Sequence, residues 1–168
     1  MTIAFKTERT LVKPWKAAFE GRATDALVEL LTPEVLESLP PPLQISNTPE
    51  NCAAWIEARL SESDVLAIVT PDTGDLIGLI LLVEFAVAGA KADIHLGYLL
   101  AEKHWGKGLA SEVILGLVAR LAQSASEIRL LGGVEKANPS SARVLLKAGF
   151  EREAALSDDE TDMYVKIA

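Results

Sequence analysis

One stretch of the sequence decides the fold: residues 94–121, which read IHLGYLLAEKHWGKGLASEVILGLVARL. The apolar run 94–100 predicts a β-strand. The last part predicts a long helix, because its apolar residues keep helical spacing at Val113, Ile114, Leu117, Val118 and Leu121. Gly106 and Gly108 lie between strand and helix, where glycine lets the backbone approach a ligand. The helix start offers unpaired N–H groups and a positive dipole end, so the segment indicates a phosphate site.

The loop alone leaves other interpretations open, including a glycine turn that merely starts a helix. A nucleoside-triphosphate loop needs Ser or Thr after Gly-Lys, whereas Lys107 is followed by Gly108. A dinucleotide fingerprint needs Gly or Ala at the last place of G-x-G-x-x-G, and Ser111 stands there. A nucleotide-binding module is therefore the weakest of the interpretations.

Strands and helices alternate along the rest of the chain. Apolar runs predict further strands at 5–15, 65–70, 76–85, 128–134, 150–156 and 163–167. Helices are predicted over about 23–39 with a break at Thr32-Pro33, from Thr48-Pro49 onward, and from Asn138-Pro139 to Gly149. This order is typical of a mixed α/β sheet covered by helices.

Composition narrows the class of protein. The chain has 168 residues, so we expect one domain, and its formal net charge of −8 is unfavourable for binding nucleic acid or an anionic membrane surface. The single cysteine, Cys52, excludes an internal disulfide and a multi-thiolate metal site. The first ten residues carry charges where a signal peptide is apolar, and the most apolar stretch is too short to span a membrane, so we expect a cytoplasmic protein.

Two motifs carry a resemblance to a known family. Residues 97–112 read GYLLAEKHWGKGLASE, and residues 138–150 read NPSSARVLLKAGF. The first resembles the acyl-CoA-binding motif of the GNAT N-acetyltransferases. It is most similar to the RimJ/RimL-type branch that acetylates ribosomal-protein N-termini. The second resembles that branch's N-x-x-S-x-x-x-x-x-K-x-G-F motif, and residues 7–15, TERTLVKPW, are similar to its opening strand.

The resemblance implies a fold and a ligand. The fold would be α/β (α+β): one GNAT-type domain over 1–168, with a mixed, mostly antiparallel sheet of about six to seven strands and helices on both faces. Acetyl-CoA would lie between two splayed strands, with main-chain amides from about His104 to Ala110 holding its pyrophosphate. The residues implied in binding it are Tyr98, Leu99, Leu100, Lys103, His104, Trp105, Gly106, Lys107, Gly108, Leu109, Ala110, Asn138 and Ser141.

Proton transfer needs its own residues. His95 is our candidate base, because it stands two residues before Gly97 on the strand expected to border the site, and imidazole titrates near neutral pH. Glu84 is the reserve candidate. Ser141 resembles the serine that the branch places near the CoA sulfur, although a serine there also suits a helix cap. Many GNAT enzymes carry a tyrosine acid where this chain has Leu145.

The resemblance implies direct transfer of an acetyl group to a primary amine, either a protein N-terminus or a small molecule. The missing tyrosine keeps an alternative open, an inactive acyl-CoA-binding sensor or partner protein. We expect no metal, because no carboxylate or thiolate cluster accompanies His95 and His104. The resemblance also leaves a homodimer open, since dimers are frequent in this family.

Overall fold

The structure of the protein is a computed structural model, which describes residues 3–19, 23–86, 92–124 and 127–168. Within these ranges the strands are β1 (Phe5–Lys6), β2 (Leu11–Pro14), β3 (Asp64–Val69), β4 (Leu76–Ala86), β5 (Ala92–Leu100), β6 (Ile128–Glu135), β7 (Glu151–Arg152) and β8 (Thr161–Ile167). The helices are α1 (Trp15–Ala18), α2 (Ala23–Leu30), α3 (Pro33–Glu37), α4 (Pro49–Glu62), α5 (Leu109–Leu121) and α6 (Pro139–Lys147). Short 3₁₀ turns occupy Pro41–Leu43, Glu102–His104 and Ala154–Leu156.

The strands follow the order β1-β2-β3-β4-β5-β6-β8-β7 in one sheet. Strands β1 and β2, β2 and β3, β6 and β8, and β7 and β8 pair antiparallel. Strands β5 and β6 pair in parallel, as expected for two strands joined by a crossover helix. The mixed, mostly antiparallel sheet is confirmed, but the described residues contain eight strands rather than six or seven.

The extra strand comes from the first predicted segment. The sequence predicts one strand over 5–15, whereas the chain turns back at residues 7–10 and forms two strands. Thr7 and Thr10 close this turn: the amide of Thr7 donates to the Thr10 carbonyl at 2.9 Å, and their hydroxyls lie 2.7 Å apart. Trp15 then starts α1 instead of ending a strand.

The predicted strand over 150–156 is also wrong in length. The strand itself covers only Glu151–Arg152. The amide of Glu153 still donates to the Met163 carbonyl of β8 at 2.8 Å, and the chain then forms a 3₁₀ turn. The Glu153 side chain caps this turn by accepting from the amide of Ala155 at 3.3 Å. A carboxylate cap therefore replaces strand pairing within two residues.

The helix starts agree with the expected capping. Pro33 follows Thr32, whose hydroxyl accepts from the Val35 amide, and this cap separates α3 from α2. Thr48 caps α4 in the same way through the amide of Asn51 at 3.2 Å. A side-chain acceptor before a proline satisfies amides that have no acceptor in the first turn.

The contacts divide the chain into two compact units, and the single-domain interpretation stays a prediction. The first consists of Met1–Leu81 and Tyr98–Leu109. Its core joins helices α1–α4 to strands β3–β5, with Leu27, Cys52 and Leu79 fully buried. Burial raises the pKa of the Cys52 thiol, and this side chain packs as a small buried hydrophobe.

The second unit consists of Leu82–Gly97 and Ala110–Ala168. Strand β6 pairs with β8 over seven residue pairs, from Arg129↔Ile167 to Glu135↔Thr161. The buried residues include Ile114 and Leu117 of α5 and Leu145 of α6. In the described part of the chain, no helix is both long and apolar enough to cross a membrane. The cytoplasmic location stays a prediction.

Candidate functional site

The loop before α5 has a backbone that favours glycine. Strand β5 ends at Leu100, and the loop then passes through Gly106 at φ +68° and Gly108 at φ +75° before α5 begins at Leu109. A left-handed conformation costs a residue with a β-carbon about 1–2 kcal/mol. A β-carbon on Gly106 would have no neighbour within 4 Å, so the space beside this residue is open.

The amides of the loop divide into two groups. Those of His104 and Trp105 donate to the carbonyls of Ala101 and Glu102, both at 2.9 Å, and so close the 3₁₀ turn. The predicted cradle from about His104 to Ala110 stays a prediction, and its first two amides are already used within this turn. Within the described ranges, no hydrogen bond takes up the amides of Gly106, Lys107 or Gly108. These three, with the first turn of α5, are the donors that remain for an anion.

Side-chain donors fix the carbonyls of the same loop. The Lys107 ammonium donates to the Lys103 carbonyl at 2.7 Å. The indole of Trp105 donates to the Leu100 carbonyl at 2.9 Å and so ties the loop to the end of β5, although 43% of the residue is exposed. The guanidinium of Arg9 donates to the Lys107 carbonyl at 2.9 Å. Sequence reasoning missed Arg9, because no local pattern indicates a contact across 98 residues.

The loop is locally basic in an acidic protein. Burial lowers the pKa of His104 below its ordinary value, and the nearby charges of Lys103 and Lys107 lower it further. Both lysines are exposed. A neutral imidazole flanked by two ammonium groups leaves a positive potential that favours a phosphate.

The strand expected to run along the ligand offers main chain rather than side chains. Leu99 and Leu100 are 5% and 7% exposed, and Leu99 belongs to the core of the first unit. Tyr98 is half-buried. The side chains of the two leucines are thus used for packing, and only their backbone groups suit the predicted contacts.

The second unit holds the candidate bases. The ring of His95 contacts that of Phe85 edge-on, with centroids 4.7 Å apart, so these two side chains share a face of the sheet. Glu84 precedes Phe85 in β4 and therefore projects to the opposite face. The structure separates His95 and Glu84 by the sheet, so they are alternatives and not partners.

An ion pair lies on the same face as His95. Arg129 donates from Nε to Asp93 Oδ1 at 2.8 Å and from Nη2 to Asp93 Oδ2, a bidentate arrangement between directly opposite residues. This hydrogen bonding lowers the pKa of Asp93 and raises that of Arg129, and the charge of His95 contributes to the Asp93 shift. Sequence reasoning missed the pair, although its strand register would have indicated it.

The parallel pairing between β5 and β6 is short. It runs from Ala92↔Ile128 to His95↔Leu131. Among the described residues, the register continues no further, although Leu96 and Gly97 still belong to β5. His95 thus lies at the last paired position, beyond which β5 is no longer paired with β6.

Helix α6 begins at the second motif. Asn138 caps it by accepting from the Ser141 amide at 3.2 Å, as expected for a helix start. Ser141 is half-buried. Leu145 is 1% exposed and packs against Gly132, so the position at which the resemblance led us to look for a tyrosine is part of the core.

The acidic side chains of the turn 157–162 form hydrogen bonds and ion pairs within the protein. Asp158 accepts from the amides of Thr161 and Glu160 at 2.7 and 2.8 Å, which lowers its pKa. Arg152 and Lys136 both contact the carboxylate of Asp162. The described ranges contain no cluster of three or more side chains suited to a metal ion.

The chain is similar to several known proteins. A family model described as acetyltransferase (GNAT) domain matches residues 11–151. The chain is 38% identical over 85 residues to the uncharacterized N-acetyltransferase YoaA of Bacillus subtilis, covering 51% of this chain and 47% of YoaA. It is 31% identical over 101 residues to the ribosomal-protein-serine acetyltransferase of Escherichia coli, covering 55% of each. The chain therefore spans about half the length of these curated relatives.

Solved structures share the fold at low sequence identity. A GNAT-family acetyltransferase from Bacillus anthracis superposes with a TM-score of 0.73 at 20% identity, covering 99% of this chain and 98% of that one. A ribosomal L7/L12 acetyltransferase, RimL, in complex with coenzyme A gives 0.75 at 16% identity and 98% coverage of both chains. The microcin C7 self-immunity acetyltransferase MccE, in complex with acetyl-CoA and AMP, gives 0.71 at 18% identity, covering 96% and 93%.

Proposed function

Because the chain belongs to the GNAT acetyltransferase domain family, we propose that it transfers the acetyl group of acetyl-CoA to the nitrogen of a primary amine. One observation carries the proposal: the unused amides of Gly106, Lys107 and Gly108 at the start of α5. Several amides converging on one anion, next to a helix dipole, suit the diphosphate of coenzyme A. Lys103 and Lys107 add positive charge at the same place.

The proposed reaction needs no acetylated enzyme. The acceptor ammonium loses a proton, its nitrogen bonds to the thioester carbonyl carbon, and the carbon–sulfur bond breaks. The sulfur leaves with the bonding electrons and takes up a proton, while the nitrogen gives up its second proton as the amide forms. The products are therefore an amide, a free thiol and one released proton. A backbone N–H of β5 stabilises the negative charge that develops on the carbonyl oxygen.

We assign the first proton transfer to His95. Its ring is exposed at the last paired position of β5, where solvent can carry the proton away. We assign the proton for the leaving sulfur to Ser141, by resemblance to the N-terminal-acetylating branch. Leu145 supplies neither proton, since its side chain is aliphatic and buried.

The acceptor is proposed only as a class, a protein N-terminus or a small primary amine. The relative from Escherichia coli is a ribosomal-protein-serine acetyltransferase, and this supports a protein rather than a small molecule as the acceptor. The net charge of −8 is compatible with either acceptor, because both are cationic before reaction.

The buried Leu145 favours one second candidate. A chain that binds acyl-CoA without the usual acid would be a sensor or partner protein rather than an enzyme. Both candidates share the glycine loop and differ only in turnover.

Two measurements test these proposals. Acetyl-CoA should raise the melting temperature, with a stabilisation of about 2.7 kcal/mol at 100 times its dissociation constant, whereas NAD and ATP should not. A panel of peptides and small amines, followed by release of free thiol, should then identify an acceptor. Stabilisation by NAD or ATP alone would contradict both candidates, and binding without thiol release across the panel would favour the sensor.

A further inference from the structure

We propose that Arg9 is a positioning residue of the coenzyme A site, which orients the Lys107–Gly108 peptide so that the Gly108 amide faces the diphosphate. The inference rests on the proposed function. It concerns the first unit alone, since Arg9, Lys107 and Gly108 all belong to it.

The turn that carries Arg9 is tightly built. Thr10 is fully buried, its amide donates to the Thr7 hydroxyl at 3.0 Å, and the Thr7 amide donates to the Thr10 carbonyl at 2.9 Å. Glu8 and Arg9 form the tip of this turn and are exposed. The backbone below Arg9 is therefore held in place, and a long side chain anchored there can act on a distant segment.

Arg9 reaches the glycine loop at a specific atom. Its Nη1 donates to the Lys107 carbonyl at 2.9 Å, and its Nη2 lies 3.7 Å from the position that a β-carbon on Gly108 would take. The guanidinium thus packs against the Gly108 backbone as well as bonding to the preceding carbonyl. A planar group with several fixed donors suits such a contact better than a single ammonium.

Peptide geometry links this bond to the proposed ligand. The carbonyl of Lys107 and the amide of Gly108 belong to one trans peptide, in which C=O and N–H point in opposite directions. Fixing the carbonyl toward Arg9 therefore directs the Gly108 amide away from Arg9. That amide has no hydrogen-bond acceptor among the described residues, so it is preorganised to bind an anion on the side of the peptide that faces away from Arg9.

The test compares ligands with and without the diphosphate. Isothermal titration of wild type, R9Q and R9M with acetyl-CoA should show about tenfold weaker binding by the variants, the loss expected for a charge-assisted hydrogen bond. Binding of S-acetylpantetheine, which lacks the diphosphate, should change less than about twofold when followed by NMR. K6Q is the matched control, because it removes one positive charge from β1 of the same hairpin and should bind both ligands as wild type does.

Other results would overturn the role of Arg9 or the proposed function. Wild-type affinity of R9Q and R9M for acetyl-CoA, or an equal loss for both ligands, would overturn the role of Arg9 and leave the proposed function standing. If neither variant folds, as judged by circular dichroism, Arg9 stabilises the fold instead, which also overturns it. If wild type itself does not bind acetyl-CoA, the proposed function fails.

Discussion

Leu145 occupies the space that a β-carbon on Gly132 would need: its Cδ1 lies 2.8 Å from that position. Gly132 lies in β6 and Leu145 in α6, so the missing side chain lets the helix pack closely on the strand. Leu145 is only 1% exposed. Position 145, where the resemblance led us to look for a tyrosine, is here used for packing.

This contact predicts the effect of G132A. The added methyl group must displace Leu145, and overpacking a core costs about 1–3 kcal/mol of the free energy of unfolding. The control is G133A, whose new β-carbon would meet the flexible Met163 sulfur at 3.2 Å and should cost less. Urea denaturation measures both, and an equal loss in the two variants would contradict the packing argument.

A second prediction concerns Gly106. G106A should lose about 1–2 kcal/mol of stability from its left-handed backbone, and it should also bind acetyl-CoA more weakly, because the methyl group enters the open space beside the unused amides. G74A is the matched control, with φ +73° and no neighbour near its β-carbon. It should lose similar stability and keep its affinity. Equal affinity in the two variants would argue against a ligand at the loop.

A third prediction concerns the base. H95A should lower turnover most at low pH, where an unassisted amine stays protonated. E84Q should show the same pH profile as wild type, because Glu84 projects from the opposite face of the sheet. The measurement is the rate of thiol release against pH, with the acceptor found in the panel. An unchanged profile in H95A would remove His95 from this role.

A fourth prediction follows from the lowered pKa of His104. The folded protein binds a proton at His104 less readily than the unfolded chain does. Protonation therefore favours the unfolded chain, and the free energy of unfolding decreases as the pH falls through 6.5, the ordinary pKa of histidine. K107Q should raise the pKa, since Lys107 is one of its causes. NMR titration measures it, with K6Q as control. Bound acetyl-CoA should also raise the pKa, because phosphates stabilise the imidazolium form.

The elements that depend on local chemistry could be predicted from the sequence. The caps at Thr48 and Asn138 are side-chain acceptors three residues before the amides they bind, and the structure confirms both. The two strand errors, at 5–15 and 150–156, arose where side-chain hydrogen bonds replaced strand pairing. Apolar periodicity does not report such bonds.

The sequence by itself determined the strand, loop and helix around Gly106 and Gly108, because backbone conformation and helix capping depend on near neighbours. The tertiary structure decided the rest: that Arg9 meets Lys107, that His95 and Glu84 lie on opposite faces, and that Leu145 belongs to the core. These relationships join residues far apart in the chain or depend on strand register and packing. They depend on the free energy of the whole fold, which the sequence of a short segment does not determine.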